Sequence, residues 1–328
     1  MRAAGPLVLL LALSACRPEA PPLPADLAAR LAGVPGTARV LDAATAADGR
    51  RAYALVQIDT PDAGRLWLQW IDLRRVEAVQ IIGAADTSRA PGPGFYAPAT
   101  PSPFFATLSH GEAVARLQRR GGALAVVNGA FLETPAAPPT EIAFPVETRG
   151  RVMTGGASPY GPGRSGSAAA RWGQPLRALV LGGTAAVVVP YDAATGAPLG
   201  RAREAVVSYA PWAHPTGIAA RFHVLGPLAP DARGASGVLL VLTSSGETTI
   251  GALAGVLARI GVPEARQIAF DGGASTFVWN RAAGNVTLPA RVPARLGPRP
   301  PGDGRYTLAH YVGFRLRPAS LQPAEARR

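Results

Sequence analysis

GVLLVLTSSGETTIGALAGVLARIGVPEARQIAFDGGAST, residues Gly237–Thr276, is the stretch that best defines the fold. The apolar run Gly237–Thr243 predicts a strand, and Ser244–Glu247 predicts a turn. Thr248–Ile260 predicts a helix, because its large apolar residues recur every three or four positions. Gln267–Phe270 is a short apolar run that predicts a second strand. The segment therefore indicates a strand–helix–strand unit.

A second helix–strand unit lies nearer the N-terminus. Ser109-His110-Gly111-Glu112 matches a capping box and predicts a helix through Arg120, followed by a buried strand at Ala123–Val127. Further runs typical of strands occur at Tyr53–Ile58, Leu66–Ile71 and Val76–Ile82. Many strands with two clear helices predict an α+β fold, a single domain of mostly antiparallel or mixed β-sheet with a few helices packed on it.

The first sixteen residues have the pattern of an export signal. Arg2 precedes the apolar run Leu7–Leu13, which is too short to span a bilayer and ends in Leu-Ser-Ala-Cys16. This ending resembles the bacterial lipobox, which implies lipidation of Cys16 and attachment to a membrane. The residue after the cysteine is Arg17 and not aspartate, which favours sorting of the lipoprotein to the outer membrane, facing the periplasm. An ordinary secretory signal with a chance cysteine is the alternative.

The domain boundaries follow from composition. We expect a signal peptide over residues 1–15 and a Pro/Ala-rich tether over residues 16–36, with a short helix near Asp26–Leu31. The folded domain is expected over residues 37–318, followed by a basic tail over residues 319–328. Cys16 is the only cysteine, so a lipidated chain would have neither a disulfide nor a thiol nucleophile.

The net charge of +12 comes from arginine alone, since the chain has no lysine. From Arg281 onward arginines greatly outnumber acidic residues, which indicates a basic face able to meet anionic lipid, polysaccharide or phosphate. No nucleic-acid motif accompanies this charge, and an export signal argues against such a partner. The four histidines lack metal-ligand spacing, so we expect neither a metal nor a cofactor.

Two loops carry the residues suited to chemistry. One strand runs into Asn128-Gly129 and another into Asp271-Gly272-Gly273, so each rigid strand presents a polar side chain followed by glycine. Glycine leaves backbone N–H groups open to an anion or a sugar oxygen. The alternative is that both are plain hairpin turns, in which Ser275 and Thr276 only satisfy turn backbone.

These segments, taken in order, resemble the phosphodiester glycosidase family. Ala123–Phe131 is similar to the family's strand ending in Asn-Gly-Gly-Phe-Phe, and Arg233–Val238 is similar to its arginine motif entering a strand. Gln267–Thr276 is similar to its Leu-Asp-Gly-Gly-Gly-Ser-Ser. The sequence departs from the pattern at Ala130, Leu132 and Ala274, and Glu133–Gly173 matches poorly, which bears on substrate choice.

The resemblance implies hydrolysis of a sugar-1-phosphodiester in a phosphate-linked sugar or polysaccharide. The departing phosphate monoester is a stable anion, so the site needs a cation on the phosphate and a carboxylate near the anomeric carbon. The resemblance implies that Asp271 acts as base, nucleophile or electrostatic stabiliser and that Arg233 clamps the phosphate. Asn128 and Ser275 would orient the sugar, and Glu141 would be a second carboxylate. The remaining implied substrate contacts are Gly129, Gly272, Gly273 and Thr276.

Two other function classes remain open at this stage. The chain could be a non-catalytic lipoprotein that binds glycans or anions on the same fold. It could also be a structural scaffold of the envelope. Catalysis is favoured if Asn128, Arg233 and Asp271 fall within one hollow that solvent reaches, whereas side chains on separate faces favour the scaffold.

Overall fold

The computed structural model describes residues 23–132, 139–157, 176–200, 202–213, 217–228, 235–293 and 303–318. Its α-helices are α1 Ala25–Leu31, α2 His110–Gln118 and α3 Ile250–Ile260. Three short 3-10 turns cover Pro211–Ala213, Glu264–Arg266 and Gly273–Ser275. Within these ranges, every helix is too short or too polar to cross a membrane.

The strands are numbered in chain order. They are β1 Thr37–Thr45, β2 Arg51–Thr60, β3 Gly64–Asp72, β4 Val76–Ile82, β5 Gly92–Pro93, β6 Pro101–Ser102, β7 Phe104–Phe105, β8 Ala123–Asn128, β9 Thr140–Glu141, β10 Val146–Thr148, β11 Arg151–Thr154, β12 Leu176–Leu181, β13 Ala186–Pro190, β14 Glu204–Tyr209, β15 Ala219–Ala220, β16 His223–Pro227, β17 Val238–Ser244, β18 Thr248–Thr249, β19 Ile268–Phe270, β20 Val278–Asn280, β21 Gly284–Thr287 and β22 His310–Leu316.

The largest sheet has six strands in the order β1-β2-β3-β17-β16-β19, and every neighbouring pair is antiparallel. Both of its faces are buried, because successive side chains of a strand point to opposite sides. In β2, Tyr53 and Leu55 enter one apolar cluster, whereas Ala54 and Val56 enter the other. α1 and α3 pack together over the second face.

Two five-stranded antiparallel sheets complete the core. One has the order β21-β20-β8-β22-β4, and α2 packs on its β4, β8 and β22. The other has the order β11-β10-β14-β12-β13. All these ladders are antiparallel, so the predicted α+β class is confirmed, and the mixed-sheet option has no example among the described strands.

Local signals predicted the helix ends. The Ser109 hydroxyl accepts from the Glu112 N–H, and the Glu112 carboxylate accepts from the Ser109 N–H, which is the predicted capping box. α3 begins two residues later than predicted, because the Thr249 side chain caps it by accepting from the Ala252 N–H. It ends at Gly261, whose φ is 114°.

Two features depart from the expected organisation. α1 lies within the expected tether, residues 16–36, yet Leu27 and Leu31 are buried in the core, so the packed domain begins before residue 37. β22 lies in the region expected to be a basic face, yet it is an inner strand of its sheet. Residues 1–22 and 319–328, including Cys16, lie outside the described part of the chain.

Candidate functional site

The two predicted loops meet where two sheets come together. β8 is an inner strand of one five-stranded sheet and ends at Asn128, while β19 is an edge strand of the six-stranded sheet and ends before Asp271. The Asn128 side-chain Nδ2 donates to the Asp271 carbonyl oxygen at 2.6 Å. The Asp271 N–H in turn donates to the Gly129 carbonyl oxygen at 3.0 Å. Two hydrogen bonds therefore fasten one loop to the other.

Asn128 is fully buried, and its amide is occupied by the protein itself. Besides the bond to Asp271, its Oδ1 accepts from the Phe277 N–H at 2.8 Å and lies 2.6 Å from His223 Nε2. An amide oxygen accepts two hydrogen bonds, so this oxygen has no capacity left for a sugar. The expected role of Asn128 in orienting substrate is corrected to a positioning role, because three backbone and side-chain groups need it.

His223 supports Asn128 from the six-stranded sheet. It begins β16, is completely buried, and its Nδ1 lies 2.7 Å from the Thr243 hydroxyl. Since Nε2 must donate to Asn128, Nδ1 accepts from Thr243 and the ring is neutral. Burial, helped by the charge of Arg221, lowers the pKa of His223 to about 3, which keeps this tautomer at physiological pH.

Gly129 is required by the packing of a second histidine. A Cβ at position 129 would lie 2.3 Å from His310 Nδ1, so only glycine fits beneath this ring. The same Nδ1 accepts from the Ala130 N–H at 2.8 Å, which places the proton on Nε2. Nε2 is buried without a hydrogen-bond partner among the described residues, and burial lowers the pKa of His310 to about 3. An unpaired N–H donor therefore lies beside the loop.

Asp271 is the only carboxylate of the two loops, and it is 3% exposed. Its Oδ2 lies 2.6 Å from the Ser275 hydroxyl, which donates to it. Burial raises the pKa of Asp271 to about 7, although the hydrogen bonds from Ser275 and from the Gly272 N–H oppose this change. The carboxyl therefore exchanges a proton near neutral pH. The expectation of a carboxylate open to solvent is wrong, because the Gly273–Ser275 turn folds back over it.

The glycine N–H groups after Asp271 are also occupied. The Gly272 N–H donates to the Asp271 carboxylate, and the Gly273 N–H donates to the Arg221 carbonyl oxygen at 2.7 Å. The expected contribution of these groups to phosphate binding is therefore not available in this conformation. Gly272 is glycine for a steric reason, since a Cβ there would lie 2.6 Å from the same carbonyl. Thr276 is buried and its hydroxyl donates to the Gly273 carbonyl, as in the plain-turn alternative.

The backbone of Arg221 borders the Asp271 loop, and the charge of a second arginine, Arg305, acts on Arg221; neither residue was predicted. Arg221 donates to the Leu288 carbonyl at 2.8 Å, and Arg305 donates to the adjacent Pro289 carbonyl at 2.6 Å. Arg305 also forms an ion pair with Asp303 at 2.9 Å. Burial and the charge of Arg305 lower the pKa of Arg221, although the more distant Glu247 partly offsets them. Within the described ranges, no carboxylate lies at ion-pair distance from Arg221.

Two predicted site residues, Glu141 and Arg233, lie outside these two loops. Glu141 is half-buried in β9, where it pairs with Phe104. Arg233, the expected phosphate clamp, lies outside the described residues, as does Cys16. Of the three side chains that catalysis was expected to bring together, the structure thus tests only Asn128 and Asp271, which are adjacent.

Sequence reasoning missed the residues that reach the loops from other strands. His223, Arg221 and His310 are separated from Asn128 by roughly a hundred residues or more, and no spacing links them to it. The available signal was their position, because His223 and His310 each begin a strand. In the described ranges, no three His, Cys, Asp or Glu side chains converge as metal ligands.

Comparisons with known proteins give only remote similarity. No protein-family model matches the sequence, and no curated protein matches it. Among solved structures, the catalytic domain of zebrafish N-acetylglucosamine-1-phosphodiester alpha-N-acetylglucosaminidase, auto-inhibited by its pro-peptide, is 12% identical with a TM-score of 0.46, and the match covers 86% of this chain and 83% of that one. An exported protein from Burkholderia pseudomallei K96243 is 13% identical with a TM-score of 0.39, over 84% of this chain and 76% of that one.

A hypothetical protein from Synechocystis is also similar. It is 9% identical with a TM-score of 0.39, and the match covers 81% of this chain. This chain spans 62% of that protein's length. These values indicate only a remote structural relationship.

Proposed function

We propose that this protein hydrolyses glycosyl phosphodiesters and that Asp271 is its catalytic carboxylate. The observation that carries the proposal is the buried Asp271 carboxyl, held by Ser275 at the junction of two sheets, with a pKa raised to about 7. A carboxyl with a pKa near the working pH is suited to proton transfer. The sequence resemblance to phosphodiester glycosidases supplies the reaction class.

In the proposed reaction, water attacks the anomeric carbon while the bond from that carbon to the phosphate oxygen breaks. The ionised Asp271 carboxylate accepts the proton of the attacking water, and the phosphate monoester leaves with the electron pair of the broken bond. The leaving group is already a stable anion, so a second carboxylate acting as acid is dispensable. Asp271 must be ionised before each turnover, which its pKa allows at neutral pH.

The negatively charged phosphate of the substrate needs a positively charged region of the protein to bind it. Arg221 supports this step, because its backbone carbonyl binds the Gly273 N–H of the Asp271 loop, and its side chain, bonded to the Leu288 carbonyl, lacks an ion pair among the described residues. His310 is neutral, and its buried Nε2–H adds a donor that has no partner among the described residues, beside Gly129. Arg233 remains our predicted clamp on the phosphate. Asn128 and His223 fix the geometry without touching substrate.

A second function is favoured by the low exposure of Asp271. At 3% exposure the carboxyl offers almost no surface to a ligand, and both glycine N–H groups beside it are occupied. These two facts support a non-catalytic lipoprotein that binds glycans or anions elsewhere on the fold. Turnover distinguishes the two functions.

The deciding experiment measures sugar release from UDP-glucose and from the methyl diester of glucose 1-phosphate. We compare the wild-type protein with Asp271→Asn and with the control Asp62→Asn, whose carboxylate is 66% exposed. We expect turnover by the wild type and the control and its loss in Asp271→Asn, with all three folded. Equal activity of Asp271→Asn and wild type would remove Asp271 from the mechanism. No sugar release by any of them favours the non-catalytic function.

We also propose that the protein is held at the bacterial outer membrane, facing the periplasm, by lipid on Cys16. Support comes from the signal-like sequence before that cysteine. A Cys16→Ser variant should move from the membrane fraction to the soluble fraction of cells. Unchanged membrane association of that variant would contradict the lipid anchor.

A further inference from the structure

A cleft unrelated to the Asp271 loop lies between the two five-stranded sheets. It has a volume of about 410 Å³ and is lined by side chains from β4, β22 and the turns around β10, β12 and β14. This volume falls in the range of small-molecule sites. We call it the arginine cleft, because five arginines line it: Arg120, Arg149, Arg203, Arg315 and Arg317.

The cleft contains more positive charge than its own carboxylates balance. Two glutamates also line it, Glu77 and Glu204. Glu77 forms an ion pair with Arg315 at 2.6 Å. Glu204 is used differently, since it accepts from Gln80 Nε2 at 2.6 Å and from the Arg149 backbone N–H at 3.0 Å. No arginine side chain in the described part of the chain forms an ion pair with Glu204.

Three of the five guanidinium groups have no partner among the described residues. The side chains of Arg120, Arg149 and Arg203 form no hydrogen bond and no ion pair there, and all three are exposed at the rim. Arg317 is half-buried deeper in the cleft and donates to the Leu73 and Gly183 carbonyl oxygens. Burial lowers the pKa of Arg317, Glu77 counteracts this, and the charges of Arg203 and Arg315 lower the pKa further. The positive charges of the cleft thus repel one another.

The backbone at Arg149 is an independent sign of function. Arg149 and Gly150 form the turn between β10 and β11, with φ values of 53° and 75°. Such two-residue turns favour Asn-Gly, because a side chain at positive φ is strained. Arg149 is the one non-glycine residue with positive φ in the described ranges. A long cation kept at a strained position, aimed over a cleft, is typical of a binding site.

We propose that the arginine cleft binds a multiply charged phosphate ligand of the size of a phosphorylated sugar. Guanidinium groups suit this ligand, because their planar N–H pairs match two phosphate oxygens. Binding supplies the missing negative charge for three free arginines at once. Gln80 adds an acceptor for a sugar hydroxyl, since its buried Oε1 lacks a partner among the described residues and Gln80 lines the same cleft.

The cleft is separate from the Asp271 site. β22 runs from His310, beside the Asn128–Gly129 loop, to Arg315 at the cleft. Five residues of strand separate them by about 17 Å. The two sites therefore lie near opposite ends of one strand. The proposal for the arginine cleft does not depend on whether Asp271 is catalytic.

The test is calorimetric titration of the full-length protein with sodium pyrophosphate and with glucose 1-phosphate. We compare the wild type with the double variant Arg120→Gln/Arg149→Gln. The matched control is Arg119→Gln/Arg151→Gln, which removes two neighbouring exposed arginines that do not line the cleft. Thermal unfolding of each variant verifies the fold, and none of these four side chains has a partner to lose among the described residues.

We expect saturable binding of both anions by the wild type and the control. Binding to Arg120→Gln/Arg149→Gln should be at least ten-fold weaker, and raising the salt concentration should weaken binding to the wild type. Equal losses in both double variants would show a general effect of net charge and overturn the proposal. Absence of binding to the wild type would overturn it too. So would binding to phosphatidylglycerol vesicles without binding to either soluble anion.

Discussion

The Asn128 amide donates to the backbone carbonyl of Asp271 at 2.6 Å, although 143 residues separate them. This bond and its reciprocal partner, from the Asp271 N–H to the Gly129 carbonyl, join two sheets at the candidate site. Asn128 is thus the residue on which the position of Asp271 depends.

Replacing Asn128 by alanine should strongly destabilise the fold. The substitution leaves the Phe277 N–H, the His223 ring and the Asp271 carbonyl without their partner in a buried position. Each orphaned group costs about 1–3 kcal/mol, so we expect a loss of about 3 kcal/mol or more in the free energy of unfolding. Urea denaturation measures it, with exposed Asn285→Ala as a control that should change little. A loss below 1 kcal/mol for Asn128→Ala would show that water replaces the amide.

Stability should depend on pH through Asp271. Its pKa is about 7 in the folded protein and about 3.8 in the unfolded chain. Between these values the unfolded chain releases a proton that the folded protein keeps, so stability is highest below pH 4 and falls as pH rises to 7. Asp271→Asn removes this contribution. The free energy of unfolding of the variant minus that of wild type should therefore increase between pH 4 and pH 8. A difference that stays constant with pH would contradict the raised pKa of Asp271.

Activity should rise with pH. A base, a nucleophile or an electrostatic stabiliser must be ionised, so Asp271 acts only in its charged form. With a pKa of about 7, kcat/KM for sugar release should increase about ten-fold per pH unit below pH 7 and level off above it. Initial rates between pH 5 and pH 9 provide the measurement. A decrease across pH 7 would indicate that the protonated form is active and that Asp271 acts as an acid.

Gly129 and Gly111 should respond oppositely to alanine. At Gly129 the new Cβ would lie 2.3 Å from His310 Nδ1, so the ring or the loop must move, at a cost of about 1–3 kcal/mol. Gly111 lies in α2 with nothing within 4 Å of its Cβ position, so Gly111→Ala should stabilise the helix by up to about 1 kcal/mol. Melting temperatures of both variants test this. A Gly129→Ala protein as stable as wild type would contradict the close packing.

The elements read most reliably from sequence were those with local causes. The Ser109 capping box and the apolar face of α3 lie within a few residues of the structure they specify. β22 was not predicted, because the excess of arginines from Arg281 onward indicated a basic face rather than an inner strand. Burial of that strand comes from the neighbours on both sides, which a local pattern does not show.

The α+β class, the two helices and the polar residues at strand ends could be predicted from local sequence patterns, because side-chain periodicity and capping act over short distances. Only the tertiary structure decided what Asn128 and Asp271 do there. In the folded protein, the Asn128 amide oxygen binds His223 and Phe277, and the Ser275 hydroxyl donates to the buried Asp271 carboxylate. Arginines far apart in the chain line one cleft. Hydrogen bonding, burial and charge repulsion depend on distances in space, and the fold sets these between residues far apart in the chain.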